Sequence, residues 1–261
     1  LLVFFPGWRD SWGRRIGAML GLTAAILLLT PLLRAVPVAG RVPGQLAAAF
    51  GQSTPRSAPG APARPAPLVY TDLWRGVGSS QVSVQTVAYA TKDEQKLWMD
   101  LYQYDPPTSE ALKATPAAPG IVVIHGGSWQ NGARTELATL NTYLAARGYV
   151  VAALSYRLAP QWPFPAARDD VRDAIAYLKA NAVSLGLDPQ RLVLLGRSAG
   201  GQLGLLVAYE TQDRAIRGVV AFYTPADMRF AYANPSHPSV IDSRGILRAY
   251  LGGSPDEVPG V

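Results

Sequence analysis

The sequence predicts an α/β fold in which helices cover both faces of a mostly parallel sheet. From about Val69 onward, segments with strand patterns alternate with segments that have helical patterns. The predicted inner strands are short, apolar and rich in β-branched residues, as strands buried on both faces are. Two of these strands run directly into glycine-rich segments, at 125–127 and 196–201. The residues before Val69 have a different composition and are predicted to lie outside this fold.

The first part of the chain, residues 1–50, is predicted to be a membrane-anchor region. Residues 16–33 form an 18-residue stretch without a charged side chain, and as a helix they are just long enough to cross a bilayer. A cleaved signal peptide is the alternative, because basic residues precede the stretch and small residues follow it. Its length, and Arg34 directly after it, favour an uncleaved anchor. Arginines before the helix slightly favour a cytoplasmic N-terminus, so the folded domain is expected to be extracytoplasmic.

A linker is predicted between this region and the folded domain. Residues 51–68 contain five prolines and four alanines but no aromatic or acidic residue, so they cannot build a core and tend toward extended conformations. Residues 69–261 are then the folded domain, and their 17 basic and 17 acidic residues balance. The whole net charge of +6 lies in residues 1–68. Because the folded part has no basic stripe, we expect no nucleic-acid partner.

The elements of the folded domain follow from its hydrophobic periodicity. An antiparallel pair opens it, over 81–91 and 96–104, because Leu97, Met99 and Leu101 alternate with other residues. Leu187, Asp188 and Pro189 indicate a turn. The buried strands are expected at 121–124, 149–154, 191–195 and 218–223, and the helices at 134–147, from Pro165 onward and at 199–209.

The motif Gly196-Arg197-Ser198-Ala199-Gly200-Gly201 predicts a nucleophilic serine. It fits the G-x-S-x-G pattern and lies between a predicted strand and a predicted helix. In that context a sharp turn strains the serine backbone and presents its hydroxyl at the edge of the sheet. Gly196, Gly200 and Gly201 would let neighbouring chain pass close to this elbow. A chance match in a glycine-rich chain is the alternative, but the flanking strand and helix favour Ser198 as the nucleophile.

The motif His125-Gly126-Gly127-Ser128-Trp129 follows an earlier buried strand and predicts an oxyanion hole. The N–H groups of Gly126 and Gly127 can turn toward a developing negative oxygen. The N–H of Ala199, at the start of a helix, is the candidate for a further donor. An ordinary strand-to-loop turn is the alternative. We expect His125, Ser128 and Trp129 to support this loop, and we prefer that role for His125 over that of a general base.

Several segments between the two motifs add a family resemblance. Together with residues 156–160, 164–167, Asp170 and 188–189, the motifs resemble the α/β-hydrolase superfamily. Within it, residues 82–228 are most similar to the hormone-sensitive-lipase-like and the acetyl or feruloyl esterase-like carboxylesterases. The resemblance implies that Ser198 forms an acyl-enzyme with a small-molecule ester, without a metal or cofactor. It also implies a structural role for Asp170, on a helix.

Two features depart from the lipase-like pattern. Ser128 and Trp129 stand where a third glycine is common, and Arg197 stands where an acid is common. Both departures lean toward the feruloyl or acetyl esterase-like and the kynurenine-formamidase-like groups. A formamidase-type or other amidase, which would use the same residues, therefore stays open as an alternative to an esterase.

The acid and base of a catalytic triad are the missing part of this prediction. They follow the serine in this fold, in the order acid then histidine. Asp227, Asp242 and Asp256 are available acids, but His237 follows the preceding strand too closely to serve as the base. We therefore expect the chain to be a fragment that also lacks its start, with the triad Asp and His beyond residue 261. The reading frame is expected to continue for about 70–110 residues.

A non-catalytic binding protein with this fold is the remaining hypothesis, because no base is identified. The chain has no cysteine, so no thiolate nucleophile or disulfide is expected. Its two histidines are not at metal-ligand spacing, so no histidine-based zinc site is expected either.

Overall fold

The computed structural model describes residues 12–51, 69, 71–77, 81–105 and 117–258. These residues fall into two units, one that contains the N-terminal helix α1 (Trp12–Phe50) and one that contains a six-stranded sheet. A short helix, α2 (Asp72–Arg75), lies between α1 and the first strand along the chain.

Helix α1 is longer than the predicted stretch 16–33, since it continues to Phe50 through an alanine-rich end. It contains three prolines, which disfavour a helix in water but are tolerated within membranes. Apolar side chains along it are exposed, and Leu28 is 81% exposed. Helix α1 is long and apolar enough to cross a membrane, a test that a signal sequence also passes. The predicted linker lies, after Gly51, outside the described residues.

The six strands of the sheet are β1 (Val82–Lys92), β2 (Gln95–Tyr104), β3 (Ala118–Ile124), β4 (Val150–Leu154), β5 (Leu187–Arg197) and β6 (Ile216–Phe222). They are arranged in the order β1-β2-β4-β3-β5-β6. Strand β2 is antiparallel to its neighbours β1 and β4, whereas β4, β3, β5 and β6 run parallel to one another. The predicted opening pair and the mostly parallel sheet are thereby confirmed.

Helices cover both faces of the sheet, as predicted, and strand β3 shows how. Its Ile121 and Val123 belong to a buried cluster with the helix at 138–145, whereas Val122 and Ile124 belong to a second cluster with the helices at 166–180 and 199–211. Because successive strand residues point to opposite faces, an apolar run of this kind needs cover on both sides. The helices are α3 (Ala138–Ala145), α4 (Ala166–Ala180), α5 (Ala199–Thr211), α6 (Met228–Ala233) and α7 (Ser243–Leu251).

A buried ion pair attaches α4 to the loop after β4. Asp170 is fully buried and accepts hydrogen bonds from the backbone N–H of Arg157, at 2.8 Å, and from its Nη2, also at 2.8 Å. Nη1 of Arg157 donates to Asp93 at 2.7 Å. Burial raises the pKa of Asp170, and the hydrogen bonds and charge of Arg157 oppose that rise. The contacts agree with a structural role for Asp170.

Two predicted elements differ in the structure. The helix expected over 134–147 is shorter, because Leu137 has a φ of 55° and the helix begins only at Ala138. The turn expected at 187–189 is wrong, because β5 already begins at Leu187. The ladder is irregular there: Asp188 pairs with Pro119, and the next pair is Leu192 with Gly120. The Asp-Pro signal therefore marks a bulge within a strand.

Candidate active site

Ser198 lies at the sharp connection between β5 and α5, in a strained backbone conformation. Its φ is 50° and its ψ is −120°, a region that costs a residue with a side chain about 1–3 kcal/mol. Hydrogen bonds on both sides hold the residue there. The Ser198 N–H donates to the carbonyl of Phe222 at 2.9 Å, and its carbonyl accepts from the Thr224 hydroxyl at 2.7 Å.

The three glycines around Ser198 are sites of close backbone approach. A β-carbon at position 196 would lie 2.2 Å from the carbonyl oxygen of Gly200. At position 200 it would lie 2.2 Å from the carbonyl oxygen of Ile124, and at position 201 it would lie 2.0 Å from the Thr224 hydroxyl. Gly200 thus allows the end of β3 to pack directly on the first turn of α5.

The segment 125–129 directly follows β3, so the packing of β3 on α5 places this segment close to Ser198. A β-carbon at Gly126 would lie 3.4 Å from the β-carbon of Ser198. Gly127 has a φ of 113°, and its carbonyl accepts from the N–H groups of Gln130 and Asn131, both at 3.0 Å. The two motifs that the sequence singles out therefore lie side by side.

Two backbone N–H groups of the segment 125–129, and one directly after Ser198, are available to bind a ligand. Within the described ranges, no residue accepts a hydrogen bond from the N–H of Gly126, Gly127 or Ala199. Gly126 and Ala199 are buried, and buried N–H groups are nearly always paired. Ala199 is also the first residue of α5, where the helix dipole favours negative charge. The arrangement can therefore stabilise a negatively charged oxygen.

His125 is packed as a support for this loop. Its ring stacks on Tyr156 with 4.2 Å between ring centroids, and the Tyr156 hydroxyl donates to the His125 carbonyl at 3.0 Å. Nδ1 lies 2.7 Å from the carbonyl oxygen of Gly126, so Nδ1 carries the proton of the neutral ring. Burial lowers the pKa of His125. Nε2 has no partner among the described residues, so His125 does not hydrogen-bond Ser198.

Trp129 is fixed by contacts with two helices and a loop. Its Nε1–H donates to Oε1 of Gln202, on α5, at 3.1 Å. Its ring stacks on Tyr250, on α7, at 4.2 Å between centroids, and its carbonyl accepts from the Ala159 N–H at 2.8 Å. Ser128 and Trp129 have φ values of 55° and 57°, which are unusual for residues with side chains.

Arg197 connects the elbow to the segment that follows this loop. Its Nη2 donates to Oε2 of Glu136 at 2.6 Å, and Oε1 of Glu136 accepts from the Ala133 N–H at 3.2 Å. The residue directly before the nucleophile is therefore an arginine whose guanidinium forms an ion pair with Glu136.

The remaining titratable candidates lie away from Ser198. His237 is exposed, with Nδ1 2.7 Å from the Ser239 hydroxyl. Asp227 and Asp242 accept hydrogen bonds from backbone N–H groups at the starts of α6 and α7, and Asp256 is exposed. In the part of the chain that the structure describes, no histidine or carboxylate hydrogen-bonds the Ser198 hydroxyl. No group of three His, Asp or Glu side chains there could hold a metal ion.

A cleft of about 270 Å³ lies one helical turn beyond the nucleophile, and Ser198 is not among its lining residues. It is mostly apolar, with Asp227 and Arg229 as its charged members. The lining residues are Phe164, Gln202, Leu206, Ala226, Asp227, Met228, Arg229, Tyr250 and Leu251.

Three residues of the site escape prediction from the sequence. Thr224 donates a hydrogen bond to the Ser198 carbonyl, and Gln202 accepts one from the Trp129 ring. Tyr156 donates one to the His125 carbonyl. Gln202 directly follows the glycine motif, which is the one signal that could have marked it. Thr224 lies in the loop after β6 and Tyr156 in the loop after β4, and nothing local in the sequence indicates these contacts.

Comparisons with known proteins find a matching family model and several similar proteins. The family model described as BD-FAE matches residues 100–259. Ethyl acetate hydrolase of Pseudomonas putida is 38% identical over 126 residues, which are 48% of this chain and 38% of the relative. Lipase 2 of a Moraxella species is 35% identical over 148 residues, which are 56% of this chain and 34% of the relative. The chain thus spans little more than a third of the length of these relatives.

Solved structures of esterases share the fold. The hyperthermophilic esterase of the archaeon Pyrobaculum calidifontis is 25% identical with a TM-score of 0.54, over 68% of this chain and 59% of that chain. Esterase LipW of Mycobacterium marinum is 27% identical with a TM-score of 0.52, over 69% and 58%. A bacterial heroin esterase is 24% identical with a TM-score of 0.58, over 70% and 59%, which is a likeness of fold alone. The predicted fold class is thereby confirmed.

Proposed function

The chain belongs to the BD-FAE family, and from that premise we propose that it supplies the nucleophile and the oxyanion hole of a serine hydrolase that cleaves carboxylic esters. The membership confirms the resemblance to carboxylesterase-type α/β-hydrolases. The observation that carries the proposal is the position of Ser198. It stands at a strained φ of 50° beside three backbone N–H groups that have no acceptor among the described residues.

The proposed reaction proceeds through an acyl-enzyme. The Ser198 hydroxyl attacks the carbonyl carbon of the ester while a base takes its proton. The negative charge on the carbonyl oxygen is stabilised by the N–H groups of Gly126, Gly127 and Ala199. Each such donor contributes about 10²- to 10³-fold to the rate. Collapse of the intermediate expels the alcohol, which receives the proton, and water then hydrolyses the acyl-enzyme.

The base and acid are proposed to come from residues beyond 261. The positions of the histidines in this chain support this, because His125 supports the proposed oxyanion loop, residues 125–129, and His237 is exposed. Asp227 and Asp242 support it too, since their carboxylates cap helices. A His preceded by an Asp, each at the end of a later strand, would complete the order of the fold.

The proposed setting is a membrane surface. Residues 1–50 would anchor the protein through α1, residues 51–68 would act as a spacer, and residues 69–261 would belong to an extracytoplasmic hydrolase domain that acts on small-molecule esters. The apolar length and exposure of α1 support an anchor. Sequencing the N-terminus of the mature protein tests it: an anchor keeps α1, whereas a signal peptide would be absent.

The decisive test is hydrolysis of p-nitrophenyl acetate by the full-length protein and its Ser198→Ala variant. We expect kcat of the variant to be about 10⁶-fold lower or undetectable, as for other serine hydrolases that lose the nucleophile. Ser184→Ala, at an exposed serine, is the matched control and should keep wild-type activity. Equal rates for the wild type and Ser198→Ala would refute the proposal. Activity on a matched N-formyl anilide but not on the ester would favour the formamidase-type alternative.

A further inference from the structure

Two donors, one in the segment 125–129 and one on α7, share one acceptor oxygen on α5. Oε1 of Gln202 accepts from Nε1–H of Trp129 at 3.1 Å and from the hydroxyl of Tyr250 at 3.3 Å. Gln202 lies one helical turn after Ser198 on α5, Trp129 ends the oxyanion loop, and Tyr250 belongs to α7. The amide oxygen therefore joins the nucleophile helix to the loop and to α7.

Both donors are buried, so they depend on this acceptor. Trp129 is 3% exposed and Tyr250 is 1% exposed. A buried donor that loses its acceptor is unfavourable, because water cannot replace the lost hydrogen bond. The stacking of the two rings, at 4.2 Å and 10°, keeps both donors directed toward the same side chain.

The oxyanion loop needs such an anchor because its backbone is strained. Ser128 and Trp129 both have positive φ values, and such conformations persist only where the surroundings enforce them. Gly126 and Gly127 precede these two residues directly. A shift of Trp129 would therefore change the direction of the Gly126 and Gly127 N–H groups.

We propose that Gln202 is a positioning residue, which holds Trp129 and thereby keeps the N–H groups of Gly126 and Gly127 aligned on the reacting oxygen. The inference rests on the proposed function, because alignment matters only if these groups stabilise a transition state. It predicts that Gln202 affects the chemical step more than the binding of substrate.

The test compares kcat and KM for p-nitrophenyl acetate in the full-length protein and its variants. Gln202→Leu removes the acceptor at similar volume, and we expect kcat to fall about tenfold with KM within about twofold of the wild type. Gln202→Glu keeps an acceptor oxygen and should lose less. Tyr250→Phe removes one donor and keeps the ring stack, so its kcat should lie between those of the wild type and Gln202→Leu. Gln190→Leu, at an exposed position on β5, is the matched control and should leave both constants unchanged.

A trifluoromethyl ketone inhibitor gives a readout that a purely structural role would not move. Its adduct with the serine carries an oxyanion, so its affinity should fall with kcat in Gln202→Leu. Wild-type kcat in Gln202→Leu, or a change confined to KM, would overturn the inference, as would equal losses in Gln202→Leu and Gln202→Glu.

If Gln202→Leu does not fold, Tyr250→Phe decides, and wild-type kcat in that variant would overturn the inference. Failure of the proposed function has a different signature, since the wild type would then be no more active than Ser198→Ala.

Discussion

Gly200→Ala is expected to destabilise the protein, although the same change inside a helix ordinarily stabilises by about 0.5–1 kcal/mol. A β-carbon at position 200 would lie 2.2 Å from the carbonyl oxygen of Ile124 and 2.3 Å from that of His125. Both are backbone atoms and cannot rotate away, so the end of β3 would have to retreat by about 1 Å. Overpacking costs about 1–3 kcal/mol, and with two backbone contacts at this distance we expect the free energy of unfolding to fall by about 3 kcal/mol.

The same displacement should reduce activity. The carbonyls in question lie directly before Gly126, so their retreat would move its N–H away from Ser198. A misplacement of about 1 Å can lower the rate about 100-fold, and we expect a loss of that order in kcat for p-nitrophenyl acetate.

The free energy of unfolding, measured in urea on the full-length protein, checks the first part of this prediction. Gly204→Ala is the matched control, since it makes the same change one turn later in α5. The nearest atoms to a β-carbon there are 3.5 Å away, an ordinary contact, so this variant should be stabilised by about 0.5–1 kcal/mol. Wild-type stability and activity in Gly200→Ala, or an equal loss in Gly204→Ala, would refute the reasoning.

Three further changes test other contacts. Thr224→Val removes the hydroxyl that donates to the Ser198 carbonyl at 2.7 Å. The free energy of unfolding, measured in urea, should therefore fall by about 1 kcal/mol, and an unchanged value would contradict this prediction. Asp170→Ala leaves the buried guanidinium of Arg157 with one carboxylate partner. We expect the free energy of unfolding to fall by about 3 kcal/mol in the same assay. A decrease smaller than that of Thr224→Val would be inconsistent with a buried ion pair. Burial lowers the pKa of His125, so its contribution to stability is present above the unfolded value near 6.5 and is lost as the pH falls below it. The loss of unfolding free energy between pH 7.5 and 5, measured in urea, should therefore be smaller in His125→Gln than in the wild type, and an equal loss in the two proteins would contradict this prediction.

Much of the fold could be predicted because its signals are local. The alternation at Leu97, Met99 and Leu101 identifies a strand, and all three side chains are buried. It does not show that Asp100 and Tyr102, on the opposite face, are buried as well. The β-branched run at 121–124 identifies a strand covered on both sides. Helix ends are harder, because the segment 134–137 has a helical composition but turns left-handed at Leu137 before α3 begins.

The site, like the fold, contains some residues that local sequence signals identify and others that they do not. Ser198 and the glycines around it could be predicted, because a strained turn and close backbone approach require particular residues at fixed spacing. Thr224, Tyr156 and Gln202 could not, since their roles depend on which side chains the folded sheet brings together. A threonine 26 residues after the nucleophile carries no local mark of its hydrogen bond to it.

The central claim is that Ser198 is an activated nucleophile, and covalent labelling tests it most directly. The full-length protein would be treated with a fluorophosphonate, digested and examined by mass spectrometry. We expect the phosphonyl group on the Ser198 hydroxyl in the wild type, and no labelled peptide from Ser198→Ala. An unlabelled Ser198 in a protein that hydrolyses esters, or a label on another serine, would contradict the account.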